Sequence, residues 1–220
     1  MDEPRSLLRP AIDPALEFSD SDLFWQAHWK KFVWGLIGVI ALILAVGAWK
    51  LWTATTLSSA EALYSTATGA DAWREVVQKY PGTVPAGNAQ VRLAESLQSA
   101  GDLPGAATEL ETFLASQPEH PLAGAAWLTL GELRQTQGNN DGALEAYRTA
   151  SSRYKTSYAA PLALVAEANL LKAQGSLGEA RAVLESVGSL HPETPAAMVA
   201  AGELARLGPP QNPAPAPSSN

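Results

Sequence analysis

The chain has 220 residues, 46% of them hydrophobic, with a formal charge of −7 and no cysteine. The acidic balance excludes a sequence-independent nucleic-acid binder, which needs Lys and Arg gathered on one face. Without cysteine there is no disulfide framework, thiolate nucleophile, Cys-containing zinc site or cysteine-linked lipid, so stability must come from packing.

Residues 1–31 form a leader, expected on the cytoplasmic side. Its last part, SDSDLFWQAHWKK, suits a short amphipathic helix capped by Ser19, Asp20 or Ser21, with Leu23, Phe24 and Trp25 against lipid. Its acidic stretch suits contact with a cytoplasmic regulator equally well. From Phe32 to Trp52 run 21 residues with Lys50 as the only charge. At about 1.5 Å per residue they make a helix of roughly 30 Å, the thickness of a hydrocarbon core. Trp25, Trp29 and Trp34 gather at one end and Trp49 and Trp52 at the other, where indoles favour the headgroup layer. A cleaved export signal has a shorter apolar region followed by small residues. Here Trp49-Lys50-Leu51-Trp52 fills that place, so a retained transmembrane anchor over 32–52 is expected, in contact with the lipid bilayer. Arg5, Arg9, Lys30 and Lys31 precede the span and no basic residue follows Lys50 until Arg74, which puts the N-terminus in the cytoplasm and the larger part outside it. Ala41 and Ala45 make a small-xxx-small pair that would let another helix approach.

Beyond the span the sequence repeats. Gly101, Gly138 and Gly175 stand 37 residues apart, and Ala106, Ala143 and Ala180 follow each by five. Positions 81, 118, 155 and 192 keep the same period and read Pro, Pro, Lys, Pro. Each unit reads as a helical hairpin. Apolar residues at helical spacing, as in Trp127, Leu128, Leu130 and Leu133, make a first helix, and glycine permits the left-handed turn that ends it. Asp102, Asn139 or Ser176 starts the second helix; the recurring alanine lets it cross the first closely; Leu110, Tyr147 or Leu184 fills the groove; proline blocks continuation. A lone hairpin leaves a face bare, so the expected fold is all-α, a solenoid of stacked hairpins over residues 53–207. Its parts are a truncated hairpin at about 53–86, with Trp73 and Val76 inward and Tyr80-Pro81 as the stop, and full units at about 87–123, 124–160 and 161–197. A closing helix runs to 207, with Glu203 and Arg206 exposed to water. The remainder, 208–220, is a Pro-rich tail that cannot pack.

Nothing converges as catalytic machinery, a cofactor site or a metal site. His28 lies beside the span, and His120 and His191 fall in PEHP and LHPETP, where exposed turn residues are expected. Glu95 and Glu132 recur one repeat apart and could pair in a groove, but no metal partner or electrophile stands near them. No Gly-rich phosphate loop follows a predicted strand. The chain therefore reads as non-enzymatic, with no cofactor.

Trp127, Leu130, Gly131, Ala143, Tyr147 and Ala150 carry the W-x-x-L-G … A-x-x-x-F-x-x-A spacing, and the middle unit resembles the tetratricopeptide repeat (TPR). The neighbouring units resemble it through Leu93, Ala94, Leu97, Ala106, Leu110, Phe113 and Pro118, and through Leu164, Ala168, Leu171, Ala180, Leu184, Val187 and Pro192. The order of parts, an acidic leader with DLFWQAHWKKF, one span, AEALYSTA and three TPR-like units, resembles the single-pass ancillary subunit of the bacterial Sec translocon, the YfgM-like family, over about residues 20–207.

The resemblance to the TPR implies a peptide-binding groove on the first helices, at Asn88, Val91, Glu95 and Gln98, then Ala125, Leu128, Glu132 and Gln135, then Leu162, Val165, Asn169 and Lys172. An apolar row, Val91, Leu128 and Val165, would be flanked by polar and acidic groups, suiting extended segments or a partner helix with apolar side chains and some basic character. The closing helix or the tail could instead cover part of that row. The basic residues of carboxylate-clamp TPRs are missing, which argues against recognition of a free C-terminal carboxylate. The implied partners are unfolded exported polypeptides, translocon subunits or a periplasmic chaperone, met at the bacterial inner membrane with the repeats periplasmic. The alternative is a scaffold for another envelope process, such as cytochrome c maturation or cell division.

Overall fold

The computed structural model describes residues 20–209, with side chains from His28 onward. The start of the leader and most of the Pro-rich tail lie outside the described residues. The chain divides into two units, Met1–Ala54 and Thr55–Asn220.

Among the described residues the first unit is helical, the beginning of α1 (Asp20–Thr66). This helix is long and apolar enough to be a membrane span or a signal sequence. Its large apolar side chains, Trp34, Leu42 and Trp49 among them, are exposed.

The second unit opens with the last turns of α1 and continues through α2 (Ala70–Lys79), α3 (Val84–Ser99), α4 (Leu103–Ser116), α5 (Ala123–Thr136), α6 (Asn140–Arg153), α7 (Ala159–Ala173), α8 (Leu177–Leu190) and α9 (Pro195–Leu207). No strand occurs among the described residues. Helices α3 with α4, α5 with α6 and α7 with α8 pack as hairpins, and each second helix packs on the next first helix.

The sequence period is visible in the backbone. Gly101, Gly138 and Gly175 have φ of 84°, 79° and 84°, a left-handed conformation that costs glycine little. Each ends its helix in a Schellman motif: the N–H groups of Asp102, Asn139 and Ser176 donate to the carbonyls of Leu97, Arg134 and Leu171 at 2.9 Å, six residues spanned each time. The side chains of Asp102 and Asn139 then cap α4 and α6 by accepting from Gly105 N–H at 2.9 Å and Gly142 N–H at 3.1 Å. Ser176 is the N-cap of α8 without such a bond.

Packing between the paired helices follows a small-against-large rule. Ala106, Ala143 and Ala180 are fully buried, as are Leu110, Tyr147 and Leu184 at the crossing. Opposite those three stand Ala94, Gly131 and Ala168. Where the large partner is leucine the small one is alanine; where it is tyrosine only glycine fits, because a Cβ on Gly131 would lie 2.4 Å from Tyr147 Cε1. The third unit departs from the pattern in another way. Glu167 stands where Leu93 and Leu130 fill the core, and its buried carboxylate is met by Arg148 Nε on α6 at 2.7 Å.

The truncated first hairpin is built from the end of α1 and α2. Val76 is fully buried with Ala86 and Ala89, and Leu63, Tyr64 and Trp73 pack against them. Two expectations need correction. His120 is not an exposed turn residue: it is 7% exposed, its ring edge-on to Phe113 with centroids 5.0 Å apart. Its Nδ1 accepts from Leu122 N–H at 3.1 Å, which leaves Nε2 to donate to Val84 C=O at 3.1 Å, tying the α4–α5 turn to the start of α3. Space for the ring comes from Gly87, where a Cβ would stand 2.7 Å from it. Glu203 is only partly open to water: its side chain is 14% exposed, and Lys172 on α7 and Arg206 on α9 both donate to it.

Candidate functional site

Helices α5 and α7 approach each other closely, and so do α7 and α9, whereas α3 and α5 stand further apart. Between α3 and α5 lies a cavity of about 360 Å³. It gathers five of the twelve groove positions: Asn88, Val91, Glu95 and Gln98 from α3, and Ala125 from α5. Helical spacing places these α3 residues on one face, at steps of three or four. Small residues, Ala94, Ala125 and Ala126, give the cavity its depth down to the buried side chains of Leu110 and Leu133.

Four residues of the rim were not anticipated. Tyr64 comes from the end of α1, Arg92 from α3, Thr129 from α5, and Tyr158 from the turn before α7. Arg92 is held above its ordinary pKa by hydrogen bonding to Tyr64 and then to Glu95. Its Nη1 meets Glu95 Oε2 at 3.0 Å. Glu95 therefore pairs with a cation on its own helix and not with Glu132. The cavity offers a neutralised ion pair, amides at Asn88 and Gln98 that can both donate and accept, and an apolar floor. That combination can bind an extended backbone and one or two uncharged side chains; it holds no nucleophile with an adjacent base.

The other groove positions lie outside this cavity. The row Val91, Leu128 and Val165, of which only Val91 reaches the cavity, is half-buried, each member packing into the core cluster it shares with the next first helix. For Val165 that neighbour is α9, through Ala196 and Ala200. Glu132 is open to solvent yet set among crowded neighbours, and desolvation raises its carboxyl above the ordinary value. Gln135 Oε1 accepts from Tyr147 Oη at 2.7 Å. The Tyr147 hydroxyl is pushed up to about 12 by burial and by the Glu132 charge. Leu162 and Asn169 are exposed, and Lys172 is engaged with Glu203. Among the described residues no group of three or more His, Cys, Asp or Glu could hold a metal ion.

A tetratricopeptide repeat-like domain family matches residues 23–153, and a tetratricopeptide repeat family matches residues 128–187. No curated protein matches the chain. Among solved structures, two forms of the nearly identical TPR-like repeats of a Podosopora anserina kinesin light chain are similar to it, at 21% and 19% identity and a TM-score of 0.49. Each match covers 70% of this chain and 83% of the other. TPR proteins are generally non-enzymatic, protein-binding scaffolds. The family match spans more than half of the residues, across α1 to α6, and on that ground the chain belongs to the tetratricopeptide repeat-like domain family and is a protein-interaction scaffold.

Proposed function

We propose that the chain is a membrane-anchored holding module that binds newly exported polypeptides near the Sec translocon. In this reading α1 stays in the inner membrane with its N-terminus cytoplasmic, and the repeats stand on the outer side. The observation that carries the reading is the cavity between α3 and α5, whose amides, small-residue floor and single neutralised ion pair suit extended chains of many sequences. The exposed apolar surface of α1 and the basic residues on its N-terminal flank support the anchor and its orientation. Tethering raises the local concentration of the site, so weak contacts suffice and no nucleotide is needed.

Photocrosslinking residues placed at Val91 and Gln98 in the full chain, in intact membranes, test this. Labelling spread over many transiting chains and translocon subunits or a periplasmic chaperone is expected. One stoichiometric envelope protein in their place would replace the holding role with a dedicated assembly scaffold. A reporter fused after the repeats and found active only in the cytosol would overturn the orientation.

A further inference from the structure

The repeat breaks its own rule at position 155. Where Pro81, Pro118 and Pro192 follow the ends of α2, α4 and α8, the chain has Lys155 after α6. The turn does not require the change. Tyr154, just before it, has φ −111° and ψ 47°, close to the φ −131° to −135° and ψ 49° to 59° of Tyr80, Gln117 and His191, all three of which precede proline. The recurring turn hydrogen bond here runs from Ser157 N–H to Tyr154 C=O at 2.8 Å and makes no use of the Lys155 N–H.

Lys155 and His191 line two adjoining cavities at the edge made by the α6–α7 and α8–α9 turns, of about 690 and 360 Å³. The larger lies within the size range of ligand sites. Its apolar wall includes Tyr158 and Leu162, and the smaller one includes Leu190; these side chains are 68%, 45% and 67% exposed. No carboxylate lines either cavity, in a chain whose formal charge is −7. Lys155 forms no ion pair among the described residues. The larger cavity is also bordered by the first turns of α7 and α9, and helix starts favour negative charge.

We propose that this edge is a second binding site, which takes an extended polypeptide segment carrying an aromatic or aliphatic side chain next to a carboxylate. The apolar side chain enters against Leu162 and Tyr158, and the carboxylate meets Lys155 and His191. Tyr158 also lines the α3–α5 cavity, so one extended chain can reach both sites and gain from the linkage. The proposal goes beyond the groove reading and fails separately from it: the groove is tested by crosslinks at Val91 and Gln98, this edge by a charge preference at Lys155.

The probe is a fluorescein-labelled, C-terminally amidated peptide, GSGFLDSG, compared with its GSGFLNSG and GSGFLKSG counterparts by anisotropy. The full chain is held in phosphatidylcholine nanodiscs. The Asp peptide should bind roughly threefold to tenfold more tightly than the Asn peptide, as suits a partly exposed charge-assisted contact. Lys155→Pro, which restores the residue found elsewhere in the repeat, should keep the melting temperature and abolish that gap. Lys155→Glu should favour the Lys peptide. Equal binding of the Asp and Asn peptides, no saturable binding up to millimolar concentration, or a gap that survives in Lys155→Pro overturns the proposal. So does loss of the gap in phosphatidylglycerol nanodiscs, which would assign Lys155 to a lipid headgroup.

Discussion

Replacing Gly131 with alanine should destabilise the repeats, although alanine is the better helix former. The structure sets two opposing terms. Relief of glycine's backbone freedom in the middle of α5 contributes about 1 kcal/mol in favour of alanine. Against it, the new methyl would stand 2.4 Å from Tyr147 Cε1 and 2.6 Å from Cδ1, on a rigid ring that is 1% exposed and fixed by its hydroxyl bond to Gln135. Overpacking of this kind costs about 1–3 kcal/mol, and a ring that cannot swing away puts the cost in the upper half of that range. The net expectation is a loss of about 1–2 kcal/mol. Tyr147→Leu alone, which removes ring packing and the hydroxyl bond, should cost about 1–2 kcal/mol as well. The double variant reproduces the alanine-with-leucine pairing of Ala94 with Leu110 and Ala168 with Leu184. It should recover at least about 1 kcal/mol relative to the sum of the single effects. Urea unfolding of the full chain in detergent, followed by far-UV circular dichroism at unchanged slope, measures all four corners of the cycle. A Gly131→Ala midpoint within about 0.5 kcal/mol of the parent, or simple additivity in the double variant, would refute the steric argument.

Three other contacts make expectations of their own. His120→Ala removes the acceptor for Leu122 N–H, the donor to Val84 C=O and the edge contact with Phe113, and should cost about 1–3 kcal/mol in thermal or urea unfolding; an unchanged midpoint would mean that these bonds do not hold the turn. Gly138→Ala should cost about 1–2 kcal/mol because its φ is 79°, while Gly178→Ala, in the first turn of α8 with open space around it, should add about 0.5–1 kcal/mol; opposite signs in the same melting assay are required. The Lys172 ammonium holds the Glu203 carboxyl below its usual range, with Arg206 adding to the effect. Its folded pKa thus lies below the unfolded one, so its stabilisation of α9 is complete above the ordinary glutamate value and is lost as pH falls through the folded value. Hydrogen exchange along α9 should quicken, beyond the intrinsic pH dependence, only once pH falls below the ordinary glutamate value, and Glu203→Gln should remove that extra step; a step that persists in the variant would assign it to another group.

Much of the fold is legible because it is written in local chemistry. A glycine that must take a positive φ, an Asp or Asn able to cap, and an alanine where helices cross each act within a few residues of their own position, and they recur at a period that can be read directly. What escapes is set by distant pairs. His120 sits in a turn that looks solvent-exposed, and its burial depends on the absence of a side chain at Gly87, 33 positions earlier. Glu203 has the exposed charge pattern of a terminal helix, and only the reach of Lys172 across to α9 draws it in. At the site, α3 positions were readable from helical spacing, but Tyr64 belongs to α1 and Tyr158 to a turn, outside the face that a repeat pattern picks out. The half-buried state of Val91 and Leu128 escaped as well, since it depends on how closely the next first helix approaches, whereas Val165 meets the closing helix α9, the cover that the sequence already allowed for.

The last helix keeps the register of the first helices before it. Thr194 turns into α9 with the same bond, N–H to the carbonyl three residues earlier, that Thr83, His120 and Ser157 make before α3, α5 and α7. Helix α9 packs on α8 and reaches α7 just as α7 packs on α6 and reaches α5. Among the described residues no second helix packs on it, which leaves Ala201 and Ala205 exposed, with Met198 and Val199 bare beside them. A second helix grafted behind Leu207 would find a ready seat, so the architecture can be lengthened one module at a time without disturbing the core that precedes it.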